Sequence, residues 1–481
     1  MFMSLNNWQP VIGLEVHVQL ATKTKLFSSS PIAFGADPNT QASEIDLGLP
    51  GVLPVLNKEA ISHAIKFGCA INAEISEKVI FARKNYFYPD LPKGYQISQL
   101  DDPIVGKGSV EIKLGDKSKI IGVTRAHLEE DAGKSIHDLY SNNSAIDLNR
   151  AGTCLLEIVS EPDLSSAEEA VEYLKKIHSI VTFLGISDGD MSQGSMRCDA
   201  NVSVKKPDDQ KLGTRTELKN INSFKFVEKA IIFEIDRQIK ELEKGEEIIQ
   251  ETRLYDSKKN LTRSMRSKEE ANDYRYFPEP DLIPIKISKA QINDVRKNLP
   301  ELPEIMKERF MNSYEISDDN AELVTINKET ASFFEEVLSY KVSPKNAVNW
   351  ITGDLFALLN KNDTNISESK VNPKHIAEII QNIEDQKISG PSAKKLLEIV
   401  WSEGGEIQEL IQKEGLEQIS NDDEIEKILD EVISENQTQF EQLKSGKERL
   451  QGFFVGQVMK KTSGSASPQV VNKLLKDKLS K

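Results

Sequence analysis

The sequence predicts an α+β protein with three parts. These are a sheet-based domain over residues 1–295, an all-helical domain over 296–410 and a small helical tail over 411–481. Three observations predict this. Up to about residue 290 the chain is rich in short alternating apolar and polar runs broken by Gly, Pro, Asn and Asp, the pattern of a mostly antiparallel sheet. Beyond about 296 strand patterns almost vanish and amphipathic helical periodicity takes over. A chain of 481 residues is also too long for one compact core.

Four alternating segments carry most of the chemistry: GLEVHVQL (13–20), RAHLEED (125–131), MRCDANVSV (196–204) and RTELKN (215–220). A strand sends successive side chains to opposite faces. Glu15, His17 and Gln19 therefore share a face opposite Leu14, Val16, Val18 and Leu20. Arg197, Asp199, Asn201 and Ser203 oppose Cys198, Ala200, Val202 and Val204, while Arg215, Glu217 and Lys219 line up together. Between these strands, 165–185 opens on Ser and acids and ends at Gly185, and 224–246 repeats the helical period up to Gly245. Pro278, Pro280, Pro284, Pro300 and Pro303 then punctuate the chain around a short strand, DLIPIKIS, and mark the first boundary.

The helical part holds amphipathic segments at 374–386 and 393–405, with a softer boundary near 405–415. Its end carries a polar turn at 463–467, then a helix in which Pro468 fits the first turn.

Composition narrows the class. With 28% charged and 38% hydrophobic residues the chain is that of a globular protein, and no apolar run approaches the roughly 20 residues that span a bilayer. The N-terminus lacks the basic-then-apolar order of a signal peptide. Cys69, Cys154 and Cys198 are scattered, against a disulfide framework or zinc cluster, so the cytoplasm is the expected compartment. A net charge of −15 argues against DNA or nonspecific nucleic-acid binding by the whole chain, and no membrane partner is expected. Charge is uneven, however. Residues 401–440 hold twelve acids and two bases, whereas 441–481 hold nine bases and three acids, so the tail offers a polyanion contact.

Carboxylates with an imidazole on one sheet face suit a divalent cation, and Mg2+ prefers oxygen ligands while leaving room for nucleotide phosphates. Glu15, His17, Glu129, Glu130 and Glu217 are the first candidates, with Asp199 next. Parity places His127 and Glu129 on one face and Glu130 on the other; a bulge or strand end would turn either carboxylate inward, so both stay open. Arg83, Lys84, Arg125, Lys134, Lys219 and Arg275 are candidates to bind phosphate. The aromatic segments YFYPDLPKGYQ (86–96) and DYRYFPEPD (273–281) read equally as packing loops or as floors for a nucleotide. AGKS (132–135) is no P-loop, because Leu128 stands where its first Gly belongs, and no GxGxxG dinucleotide fingerprint or GxSxG elbow appears. The residues alone thus describe a metal-dependent, nucleotide-using enzyme on a sheet.

The same segments, with RKNYFYPDLPKGYQISQ, DLNRAGTCLLEIVSEPD, QETRLYD, DYRYFPEPDLIP and GFFVGQVMKKTSGSASPQVVNKLL, resemble the B subunit of the aspartyl/glutamyl-tRNA amidotransferase, the GatB family, over essentially the whole chain. The resemblance implies ATP- and Mg2+-dependent phosphorylation of the side-chain carboxylate of misacylated Glu-tRNA(Gln) or Asp-tRNA(Asn). Ammonia then displaces phosphate. It implies a heterotrimer with a glutaminase (the A subunit) and a small C subunit, a catalytic cradle of the glutamine synthetase/guanidino kinase type, and a tail that contacts tRNA. It places the catalytic and metal site on Glu15, His17, Glu130 and Glu217, with Glu129 and Asp199 nearby. Cys154 departs from the family, which usually shows Pro there; the implied effect is on local rigidity. A free-standing carboxylate–amine ligase and a noncatalytic tRNA scaffold are the competing classes; the first would leave the basic tail superfluous.

Overall fold

The structure, a computed structural model, describes residues 7–115, 117–136, 143–267, 274–418, 422–462 and 465–480. Asp273 of the second aromatic segment and positions 463 and 464 of the tail turn lie outside the described residues. The chain forms two compact units, Met1–Leu302 and Pro303–Lys481.

The first unit is built on an eight-stranded mixed sheet. Its strands run, in spatial order, Leu261–Ser267, Glu251–Asp256, Thr216–Lys219, Met196–Lys205, Gln9–Gln19, Cys154–Ser160, Lys117–Glu130 and Gly108–Leu114. All neighbours are antiparallel except Thr216–Lys219 and Glu251–Asp256, which are parallel. The expected α+β class is borne out, with a mixed sheet.

Alternation decides which face is dry. Ile12, Leu14, Val16 and Val18 are buried beside Cys198, Ala200, Val202 and Val204, and beside Leu156 and Ile158. Helices Ala167–Phe183 and Phe224–Glu243 belong to the same core through Tyr173, Leu174, Ile177, Val227, Ala230 and Ile231. Both helices begin as their sequences dictate: Ser166 accepts from the Glu169 amide at 3.1 Å and Ser223 from the Phe226 amide at 3.2 Å. The first stops before Gly185, whose φ of +64° favours glycine. All three cysteines are free and buried.

A bulge sets the other face. The register of Lys117–Glu130 against Cys154–Ser160 shifts between Val123 and Arg125. Before it the odd residues Ile121 and Val123 are in the core; after it the even residues Ala126 and Leu128 are. The shift therefore turns Arg125, His127 and Glu129 to the face opposite the helices.

A small sheet of Phe277–Pro278, Ala82–Asn85 and Tyr95–Ser98 stands beside this face. It is locked by Arg83, which donates to the Glu279 carboxylate at 2.7 and 2.8 Å and stacks 4.1 Å from the Tyr95 ring centre.

At the far end of the large sheet Glu234 is fully buried and satisfied. It accepts from Thr216 at 2.9 Å, Gln238 at 3.0 Å, Thr262 at 3.0 Å and Arg237 at 2.5 Å. A buried carboxylate is stable only with such partners.

The second unit is helical among the described residues, including a π-turn at Trp350–Leu355 between Pro344–Asn349 and Phe356–Asn362. The predicted helices appear as Pro373–Glu384 and Gly390–Glu403, and Pro468 is the first residue of Pro468–Leu479. Ile425, Leu429 and Val432 on Asp422–Glu435 pack with Phe454, Val458, Val471 and Leu475 from the last two helices. The basic end partly neutralises the acidic stretch before it. Lys461 lies 3.1 and 2.8 Å from Glu431 and Glu435, and Lys478 lies 2.7 and 2.8 Å from Glu426 and Asp430. Among the described residues no helix is long and apolar enough to cross a membrane.

Replacing Glu234 with Ala strands the polar groups it serves. Urea unfolding of the full chain is expected to show the sheet unit destabilised by about 3 kcal/mol. A loss below about 0.5 kcal/mol, typical of surface changes, would show that the network contributes little.

Candidate active site

The face turned away from the helices lines a cavity of about 740 Å3. Register places its side chains. Glu15 stands opposite Asp199, and His17 stands between Arg197 and Glu157 on its two neighbouring strands. Glu157 in turn pairs with His127, and Glu217 with Asn201. Residues from five strands thus meet in adjoining rows.

They form two groups. His17, Glu129 and Glu157 each present a ligand atom within 4.8 Å of the others, and so do Glu15, Asp199 and Glu217. Around the first, His127 Nε2 lies 3.3 Å from Glu157 and 3.5 Å from Glu129, and Ser98 donates to Glu129 at 3.1 Å. Around the second, Asn201 donates to Glu15 at 2.8 Å, Thr252 donates to Glu217 at 2.8 Å, and Lys219 binds Asp199 and lies 3.3 Å from Glu217. Asp131 accepts from Arg197 at 2.9 Å and Gln19 at 2.8 Å, fixing that guanidinium over the floor.

Burial and charge compete here. Burial works against a charged His127, but Glu157 and Glu129 outweigh it and push the imidazole up to about 9. Burial also lowers His17, yet Glu157 leaves it above the ordinary value. Conversely, burial would raise Glu157, but His127 and His17 hold it well below the usual carboxylate range. Burial and Glu157 push Glu129 up while His127 and Lys84 pull it down, and the cations win. Glu129 and Glu157 are therefore ionised at neutral pH. Four buried polar atoms of the lining residues are unpartnered: Arg125 Nε, Arg197 Nε, His127 Nδ1 and Gln99 Nε2. Desolvated donors left unmade are costly, so such a set calls for an acceptor-rich ligand.

Of the residues marked out by sequence, Glu15, His17, Glu129, Asp199, Glu217, Lys84, Arg125 and Lys219 line the cavity. The others are placed elsewhere. Glu130 pairs with Cys154 in the sheet and turns to the opposite side, where Lys93 reaches it at 2.5 Å and the Ile97 amide donates to it at 3.0 Å. The bulge explains this placement, since it restores the cavity side to Glu129. Arg83 is committed to Glu279. Lys134 and Arg275 are exposed outside the lining, the latter with φ +46° and its carbonyl accepting from Asn85 at 2.8 Å. Lys219 sits on carboxylates.

Sequence reasoning missed Glu157, although it is the one acid in the apolar strand CLLEIVS. It also left open Tyr86, Tyr274 and Tyr276, which stack edge to face at 6.1 and 6.2 Å along the rim, with Lys84 5.0 Å from the Tyr274 ring centre.

The GatB/GatE catalytic domain matches residues 10–293, and the GatB domain matches 332–479. The chain belongs to the GatB/GatE family. The family match covers every strand of the cavity floor. The B subunit of the aspartyl/glutamyl-tRNA(Asn/Gln) amidotransferase of Thioalkalivibrio sulfidiphilus (strain HL-EbGR7) is 57% identical over 474 residues, 98% of this chain and 99% of that protein. The protein of the same name from Coxiella burnetii (strain CbuG_Q212) is 55% identical over 475 residues, 98% of this chain and 100% of that protein. That of Halorhodospira halophila (strain DSM 244 / SL1) is 54% identical over 474 residues, 98% of this chain and 99% of that protein.

The raised pKa of His127 makes a stabilising contribution that is fully present below its ordinary value of 6.5 and lost as pH rises through about 9. In metal-free protein the stability advantage of wild type over His127→Gln is expected to shrink across that window in urea unfolding. An advantage that stays constant from pH 6 to 10 would show that folding leaves the pKa of the imidazole unshifted.

Proposed function

We propose that the chain is the B subunit of a tRNA-dependent amidotransferase, working in the cytoplasm with a glutaminase (the A subunit) and a small C subunit. It acts on Glu-tRNA(Gln), Asp-tRNA(Asn) or both. The observation that carries the reading is the pairing of two carboxylate-rich groups, His17–Glu129–Glu157 and Glu15–Asp199–Glu217, with unpartnered guanidinium donors in one cavity. The large sheet is read as the floor of a cradle of the glutamine synthetase/guanidino kinase type. The division into a catalytic domain (1–295), a helical domain (296–410) and a tail (411–481) belongs to the same proposal.

The chemistry follows from a poor leaving group. A side-chain carboxylate cannot expel hydroxide, whereas an acyl phosphate expels phosphate readily. Phosphoryl transfer from ATP to the glutamyl or aspartyl carboxylate forms the new P–O bond and releases ADP. Attack by ammonia on the carbonyl carbon then forms the C–N bond and releases phosphate.

The donor set fits Mg2+, being hard carboxylate oxygens with one imidazole. Held by these carboxylates and His17, Mg2+ would offset the charge that develops as the phosphoryl group moves. The remaining work falls to the chain. Asp131 holds the Arg197 guanidinium in place, and Arg125 and Arg197 present donors to phosphate or carboxylate oxygens. The tyrosine rim, with Lys84 against it, shields the reacting groups from water. The tail is read as a tRNA contact outside the acceptor end, resting on the excess of bases over acids in 441–481.

The deciding experiment measures ATP hydrolysis by the assembled enzyme with Glu-tRNA(Gln), Asp-tRNA(Asn), uncharged tRNA and free glutamate. Stimulation by misacylated tRNA alone is expected, falling about 100-fold or more in Glu217→Gln. Stimulation by free glutamate would favour a small-molecule ligase instead, and turnover unchanged in the variant would make the acids structural.

A second comparison separates the adjacent glutamates. Glu129→Gln is expected to weaken Mn2+ binding about tenfold or more, while Glu130→Gln leaves it unchanged. The reverse order would place the ion on the other side of the sheet.

A further inference from the structure

The Glu15–Asp199–Glu217 group already holds a cation of its own. The Lys219 ammonium donates to Asp199 and lies 3.3 Å from Glu217, while the carboxylate oxygens of all three acids lie within 4.8 Å of one another. The backbone of this lysine is fixed at the end of Thr216–Lys219. Asn220 follows it with φ +66° and donates to the Tyr255 carbonyl at 3.1 Å. Only the flexible four-carbon stem can move the charge. The neighbouring His17–Glu129–Glu157 group has the His127 imidazole beside it but no ammonium within ion-pair distance among the described residues. Glu15 and His17 are two apart on one strand, so the groups stand about 7 Å apart.

We propose that Lys219 is a tethered occupant of the Glu15–Asp199–Glu217 group that keeps a second divalent ion out while no nucleotide is bound. The resting enzyme then carries one ion, at His17–Glu129–Glu157; this rests on the metal reading given above. Three close carboxylates repel one another, and a monovalent ammonium relieves part of that repulsion. An entering divalent ion must displace it, and the displaced charge needs an acceptor. A nucleotide supplies one, since its phosphates offer oxygens both to the ion and to the freed ammonium. Binding of the second ion and of nucleotide are therefore coupled, each strengthening the other.

The test counts Mn2+ bound to the assembled enzyme without nucleotide, by electron paramagnetic resonance of the free ion. Wild type is expected to bind one ion, Lys219→Met two, and Lys219→Arg one. The second site of Lys219→Met is expected to gain about tenfold or more in affinity over wild type, as removal of a nearby positive charge requires. The retained first ion reports that the variant is folded. Two ions in wild type, or one in Lys219→Met, would overturn the proposal. No ion in wild type but one in Lys219→Met would keep the occupant and reject the metal reading of the first group. No ion in any form would reject both.

Discussion

The register between Gln9–Gln19 and Met196–Lys205 is the constraint on which the rest depends. One face of this central pair is dry. Its alternate residues, from Ile12 to Val18 and from Cys198 to Val204, are buried under two helices. A slip by one residue would send Glu15, His17 and Asp199 into that core and lift the aliphatic side chains into the cavity. Burial of apolar groups on one side therefore aligns the charges on the other. The site borrows its geometry from hydrophobic packing that never touches a ligand.

That alignment gathers more negative charge than a protein face ordinarily tolerates. The structure answers with local cations: two imidazoles around Glu157, Arg197 on Asp131, and Lys219 among the second set of acids. Each counter-charge stands on a strand of the floor. Glu129, Asp131 and Glu157 are thus kept ionised, which is how a preorganised electrostatic site is made. The unpartnered guanidinium atoms mark the complementary half, where buried donors stand without acceptors.

The fold was legible wherever one period ran unbroken. Alternation in GLEVHVQL and MRCDANVSV gives the central strands and their wet faces, and the helices capped by Ser166 and Ser223 lie within the segments read as helical. Legibility failed where tertiary detail intervenes. The bulge after Val123 cannot be located from composition, and it alone decides between Glu129 and Glu130. Charge type marks out Arg83 and Lys134 in the sequence but carries no information about partners; one is committed to Glu279 and the other faces solvent. Glu157 was overlooked because a single acid in an apolar strand looks like an interruption, and only its neighbours His17 and His127 give it meaning.

The clamp between Arg83 and Glu279 joins positions 196 residues apart. The rim shares this long closure, for Tyr86 follows the strand that bears Arg83, and Tyr274 and Tyr276 precede Glu279. Contacts of such separation cost chain entropy before they contribute anything, and they form late. On a ribosome the floor strands up to Lys219 emerge first, and the wall that encloses them is still unmade until the segment around 280 is released. A truncated translation product that ends before residue 274 thus lacks the Arg83–Glu279 clamp and two of the three rim tyrosines.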